Sequence, residues 1–314
     1  MTSTNKILVT GGNGFIGHTL VRDLLEKDIE VKVVDIKPIK FEHKNLTFIK
    51  KSVLDNLKAE MQDCDVIYHL AAELGVINSD LHPLNTLKVN IDGTVNVFKC
   101  ALDAGTKRII YSSSSEVYGE PRESPINEDC PKSPVSIYGV SKLTAEMYAH
   151  GYTKEHGLNI NPVRFFNVYG PGQGFDWVMP IFIKQVIEGK DPTVFGDGSM
   201  IRCFTYITDI INGMETIRAK CKTGQAYNIA NTEPTTMKEL AEKIIKTAGK
   251  ELNPKILGFG KQTRERSREI MKRIPDISRL KSLGWEPKIS TDEGIKKAYE
   301  WYKNNMGKEE LFYE

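Results

Sequence analysis

At 314 residues the chain is long for one simple core, so one large domain or two intimately joined ones is expected. Hydrophobic residues make up 40% and charged residues 27%, the mix of an ordinary soluble globular protein. A formal net charge of +2 is too small to imply a nucleic-acid or membrane partner.

Taken in chain order, "KILVT" (6–10) reads as a strand, 15–26 as an amphipathic helix and "VKVVD" (31–35) as the next strand. "LTFIK" (46–50), "DVIYHL" (65–70), "RIIYSS" (108–113) and "NINPVRFF" (159–166) continue the strand series. Two segments between them, 83–105 and 136–157, have helical length and spacing. Strands alternating with helices predict βαβ units, hence an α/β, doubly wound parallel sheet of Rossmann type. Past residue 170 the rhythm changes. "YGPGQGFDWVMP" (169–180) is loop chemistry, and helices are predicted near 180–188, 208–219, 236–248 and 291–304. Only "TVF" (193–195) reads as a strand in a half with few strands. The expected organisation is a dinucleotide domain over 1–170, with 200–231 returning to it. A smaller, mostly helical substrate lobe takes 171–199 and 232–314, over the sheet's carboxyl edge, where open α/β sheets bind ligands.

No run approaches the roughly 18 apolar residues of a membrane span. The opening "MTSTNKILVTGG" lacks a signal-peptide core. The cysteines, Cys64, Cys100, Cys130, Cys203 and Cys221, are scattered and free of CxxC spacing, which implies neither a zinc site nor a disulfide framework. Reduced thiols suit the cytoplasm, the expected compartment.

Three patterns carry chemistry. "VTGGNGFIG" sets Gly11, Gly14 and Gly17 after the first strand and at a helix mouth, where glycine permits a tight turn and close approach of backbone amides to a pyrophosphate. Asp35 ends the second strand, placed to hold an adenosine ribose by its two hydroxyls; a 2′-phosphate would be repelled, which favours NAD over NADP. "YGVSK" puts Tyr138 and Lys142 at i and i+4, on one helix face. An ammonium beside a phenol favours phenolate and makes tyrosine a usable base. "YSSSSEVYG" (111–119) sets Glu116 in a row of serines at a strand end, either to move a proton or to orient neighbouring loops. The basic run "KQTRERSREIMKR" (261–273) is either a solvated helix face or a phosphate-neutralising patch.

From "GGNGFIG" through "YHLAA" (68–72), "YSSSSEVYG", "YGVSK" and "RFFNVYGPGQ" (164–173) to "LGWEPKISTDEGIKKAYEWY" (283–302), the chain resembles the extended short-chain dehydrogenases/reductases. Within them it is similar to the nucleotide-sugar epimerase/dehydratase group. The resemblance implies NAD held by Gly11, Gly14, Phe15, Ile16, Gly17 and Asp35. It implies Ser52 and Val53 at the adenine, Leu70, Ala71 and Ala72 along the pyrophosphate, and Asn90 and Lys142 near the nicotinamide ribose. Ser52 departs from the aspartate frequent in the family, which loosens the adenine contact. In the first step the resemblance implies, Tyr138 takes a proton from the sugar C4 hydroxyl, Ser114 bonds that hydroxyl, Lys142 keeps the phenol acidic and NAD takes the hydride. The steps after oxidation stay open. Glu116 can serve C5 chemistry, as in 4,6-dehydration or decarboxylation; the alternatives are 4-epimerisation and release of the 4-keto sugar. Ser115 stands where most 4,6-dehydratases have an aspartate, and the segment after "GP" lacks the arginine of the decarboxylase pattern. Arg273, in "KRIPDISR", matches an arginine that handles a substrate carboxylate, Asn167 a residue that touches the sugar diphosphate, and Arg202 a position gripping the phosphates or nucleotide ribose. Arg268 is a candidate second phosphate clamp, since guanidinium forks suit phosphate oxygens. The implied partners are a nucleotide-diphosphate sugar and a second copy of the chain, paired through 83–105 and 136–157. A reading of another class, a non-catalytic NAD-binding sensor, sits poorly with an intact Ser114–Tyr138–Lys142 set.

Overall fold

The computed structural model describes residues 6–258, 270–308 and 313. Its first part runs β1 (Lys6–Thr10), α1 (Phe15–Glu26), β2 (Glu30–Asp35), β3 (Leu46–Lys50), α2 (Lys58–Met61) and β4 (Val66–His69). Next come α3 (Val76–Leu81), α4 (Pro83–Leu87), a π-helical stretch (Lys88–Gly93), α5 (Thr94–Ala104) and β5 (Arg108–Ser114). A short 3₁₀ turn (Ser115–Tyr118) leads to α6 (Ile137–His156) and β6 (Asn159–Phe165). The remainder holds β7 (Val168–Tyr169), α7 (Val178–Ile187), β8 (Thr193–Phe195), β9 (Ile201–Cys203), β10 (Thr205–Tyr206) and α8 (Ile207–Lys220). It ends with β11 (Tyr227–Ile229), β12 (Pro234–Thr236), α9 (Met237–Ala248), β13 (Lys255–Leu257), α10 (Ser278–Lys281) and α11 (Thr291–Asn305).

Seven of these strands form one parallel sheet in the order β11-β6-β5-β4-β1-β2-β3. The order reverses between β1 and β4, and loops leaving those two strands open a crevice there, the place where such sheets bind ligands. Alternation along β1 shows why both faces are filled. Ile7 and Val9 face a core shared with α1 and α8, whereas Leu8 faces a second core shared with α2, α5 and α6. A strand apolar on both faces is what a doubly covered parallel sheet requires. Each fully buried large aliphatic side chain contributes about 1.5–3 kcal/mol.

Two sequence expectations need correction. The single helix expected over 83–105 is divided into α4, the π-helical stretch and α5, and α3 precedes it within a segment with no predicted element. The half past residue 170, expected to have few strands, carries β8 to β13, of which only β8 was predicted, and β7 just precedes it. Most of these are two or three residues long and pair with distant partners, such as β13 with β8 and β12 with β9. Such pairings come from tertiary contact and leave no local period to read. Among the described residues no helix is long and apolar enough to cross a membrane.

Candidate active site

The crevice begins at the first glycine turn. Gly11 has φ +70°, and a Cβ there would lie 2.6 Å from the Ala71 nitrogen. At Gly17 a Cβ would lie 2.1 Å from the Gly11 carbonyl oxygen, so α1 can approach β1 only if this residue is glycine. Gly12, which the glycine motif leaves out, is equally constrained: a Cβ would meet Val33 Cγ1 at 2.6 Å. Helix α1 starts after Gly14 with no side-chain cap, and Gly14, Phe15, Ile16 and Gly17 line the cleft. Its first N–H groups and helix dipole are therefore offered to an anion. At the end of β2, Asp35 accepts hydrogen bonds from the Asn13 and Lys37 backbone nitrogens, both at 2.9 Å. That fixes its carboxylate beside the glycine turn. A cradle closed to any Cβ, an uncapped helix start and an oriented acid fit a dinucleotide.

Beyond the turn the cleft is lined by Leu70, Ser114, Glu116, Tyr138, Lys142, Asn167 and Arg273, all singled out in the sequence. Helix α6 brings Tyr138 and Lys142 together. Its N-cap is Ser136, whose hydroxyl accepts from the Gly139 nitrogen at 3.0 Å. Lys142 is only 2% exposed; its Nζ donates to the Ser112 carbonyl at 2.8 Å and lies 5.7 Å from the Tyr138 ring centre. Burial brings its pKa down to about 7, against the opposing pull of Glu146. The Tyr138 phenol is pushed well above its usual range, first by burial, then by the Glu116 charge, while a hydrogen bond with Ser114 pulls it back. The spacing alone implied an acidic phenol; in the free cleft desolvation and the carboxylate outweigh that.

Glu116 sits in the 3₁₀ turn capped by the Ser114 hydroxyl, which accepts from the Glu116 nitrogen at 3.2 Å. Its carboxylate pairs with Arg273 Nη1 at 2.8 Å and accepts from the Ser136 hydroxyl at 3.3 Å. Arg273, 4% exposed, also reaches the Ser115 hydroxyl at 3.3 Å, and its Nε is buried without a partner. The two residues picked for separate tasks thus form one ion pair. Asn167 has φ +34°, with its side-chain oxygen buried and unpartnered.

Other predicted residues stand apart from the lining. Ser52 and Val53 form the turn after β3, with the Ser52 nitrogen bonded to Asp55 at 2.7 Å and the Val53 carbonyl to Asn96 at 2.8 Å. Ala71 and Ala72 follow β4, where the Ala71 nitrogen reaches the Thr10 hydroxyl at 3.3 Å. Asn90 is buried at 1% exposure, its amide spent on the Glu73 backbone nitrogen and carbonyl (2.8 and 3.0 Å) and the Ser141 hydroxyl (3.1 Å). Arg202 lies on β9 and donates to the Ile201 carbonyl at 2.9 Å. Arg268 lies outside the described residues. Sequence reasoning missed Ser136, Gln173 and Trp177 in or beside the cleft. Ser136 was legible as a helix cap; the other two sit in the loop after β7 with no pattern to mark them.

Such a cleft defines a dinucleotide-binding enzyme, with a buried lysine and a half-buried tyrosine beside the crevice. The chain belongs to the NAD dependent epimerase/dehydratase family, whose model matches residues 7–230, and its cofactor is NAD. It is 34% identical over 312 residues to a putative UDP-glucose 4-epimerase of Methanocaldococcus jannaschii, covering 95% of this chain and 99% of the relative. It is 32% identical over 317 residues to UDP-glucuronic acid decarboxylase 1 of Danio rerio, covering 96% and 73%. The structure of a dTDP-glucose 4,6-dehydratase from Streptomyces venezuelae, solved with NAD bound, superposes with a TM-score of 0.89 at 28% identity, covering 98% and 99%.

Proposed function

We propose that this enzyme oxidises a nucleotide-diphosphate sugar at C4, and that Glu116 then moves the C5 proton of the 4-keto sugar. The observation that carries the first step is the buried Lys142 beside Tyr138, with Ser114 at the phenol. Ser114 orients the C4 hydroxyl, Tyr138 takes its proton, and Lys142 stabilises the resulting phenolate. Bound NAD would supply the hydride acceptor. Gly11, Gly14, Phe15, Ile16, Gly17 and Asp35 hold the dinucleotide; Ser52, Val53, Leu70, Ala71 and Ala72 border it, and Asn90 braces the loop beside it. Asn167 faces the sugar diphosphate; Arg202 and Arg268 belong to the same reading.

A ketone at C4 acidifies the C5 hydrogen, and only then can a carboxylate remove it. Glu116 lies in the cleft with its carboxylate held by Arg273 and Ser136, placed to accept that proton when the substrate draws Arg273 aside. A second reading, 4-epimerisation, is favoured by the 34% identity to a putative 4-epimerase and by the prior engagement of Glu116. We assign the substrate lobe to 171–199 and 232–314, a division supported by β11 completing the main sheet. A homodimer through 83–105 and 136–157 is supported by the exposed apolar side chains of Leu84, Met147 and Tyr148. A reducing, cytoplasmic setting is supported by the free state of all the cysteines.

Purified enzyme incubated with UDP- and dTDP-sugars, neutral and uronic, resolves the outcome by product mass. Loss of water reports dehydration, loss of carbon dioxide decarboxylation, loss of two hydrogens net oxidation, and unchanged mass epimerisation. No conversion of any member of the panel contradicts the proposal.

A further inference from the structure

We infer that Arg164, acting through the Tyr118 hydroxyl, is a positioning residue that fixes the Glu116 turn against the helix carrying Tyr138 and Lys142. The inference rests on the proposed use of Glu116 after C4 oxidation. Arg164 projects from β6 and is 3% exposed. Its Nε and Nη2 grip the Glu146 carboxylate at 2.9 and 2.6 Å, and its Nη1 donates to the Tyr118 hydroxyl at 2.7 Å and to the Glu128 carbonyl at 2.9 Å. The Tyr118 hydroxyl in turn donates to Asn228 Oδ1 at 2.8 Å, and the tyrosine ring lies under the guanidinium with 5.0 Å between ring centre and guanidinium carbon.

The two ends of this fork are the two halves of the reaction site. Glu146 is one helical turn beyond Lys142 and two beyond Tyr138 on α6, so a grip on Glu146 fixes where that face stands. Tyr118 ends the turn that begins at Ser115 and carries Glu116. One planar group with donors in a fixed fork therefore sets the spacing between the base of the first step and the base of the second. Stability gives little reason for the arrangement, because a buried ion pair is often no more stabilising than well-packed apolar side chains. What the fork supplies is direction. Arg273 and Ser136 aim the Glu116 carboxylate, Gly139 of α6 packs closely against the Glu116 carbonyl, and the Tyr118 anchor holds the far end of the turn. Proton transfer tolerates about 0.5 Å of misplacement, and a shift of about 1 Å can cost about 10²-fold.

Tyr118→Phe tests this, since it removes the hydroxyl link and leaves the ring beneath Arg164. With whichever sugar the wild type converts with C5 exchange, appearance of reduced cofactor in a single turnover should stay within about twofold. Exchange of the C5 hydrogen with D₂O should slow about tenfold, with KM unchanged. Amide hydrogen exchange should quicken at 115–118 while α6 keeps its protection. Arg164→Lys, which keeps the charge and loses the fork at both its Glu146 and its Tyr118 end, should slow both steps. Equal slowing of both steps in Tyr118→Phe, or no change in either step in both variants, overturns the positioning role. Absence of C5 exchange in the wild-type enzyme instead removes the Glu116 reading, and the inference falls with it.

Discussion

Lys142 concentrates the energetic cost of this site, since it is a cation that sits out of water, while Tyr138 beside it is half-buried. Tyr138→Phe should cut cofactor reduction by about 10²–10⁴-fold, the usual worth of one acid–base group, with bound NAD unchanged on release from denatured protein. Lys142 offers a test without substrate. Its folded pKa of about 7 lies below its unfolded value of 10.5, so between those values the unfolded chain binds more protons. The cost of burying it is therefore full below about 7 and fades as pH rises toward 10.5. In urea unfolding of the apoprotein, Lys142→Met should gain on the wild type at pH 7 and lose that gain by pH 10. A difference that stays flat with pH would show that Lys142 is not desolvated. At this scale the sequence was informative where chemistry follows spacing, as for Tyr138 and Lys142 on one helix face. It was silent on the Glu116–Arg273 pair, whose members are 157 residues apart and meet only through the folded lobe.

Among the elements, α1 and its glycine turn were legible because strand, turn and helix each leave a local signature. Helix α1 runs Phe15–Glu26, as its periodicity predicts. The break in the 83–105 helix was not, because one π-helical turn changes no residue type; it lets Asn90 reach the Glu73 backbone. Gly17→Ala is the decisive element-scale variant. With its Cβ 2.1 Å from the Gly11 carbonyl, α1 must move off β1, and the cost expected from overpacking is about 1–3 kcal/mol. Calorimetric titration with NAD should show binding weakened well beyond the stability loss, since the displaced residues are the ones that line the cleft. Wild-type affinity in this variant would disprove the cradle.

For the whole molecule, the parallel sheet was legible from the alternation of strands and helices. Of the short strands, β8 was legible as the "TVF" run, whereas β7 and β9 to β13 were not, since each exists only by pairing with a distant partner. The surface carries one further expectation. Ile77 (65% exposed), Leu81 (70%), Leu84 (80%) and Met147 (68%) lie on α3, α4 and α6, a density of apolar exposure expected of an interface. Light scattering should give twice the 35.4 kDa of one chain, and Leu84→Asp should shift it toward the monomer. The claim on which all else depends is oxidation at C4. It is tested most directly by adding UDP- and dTDP-sugars deuterated at C4 to the NAD-loaded enzyme and following the label by mass spectrometry. The account predicts deuterium on the cofactor with at least one sugar, and none with that sugar in Tyr138→Phe; a cofactor that never acquires the label while product forms would contradict it.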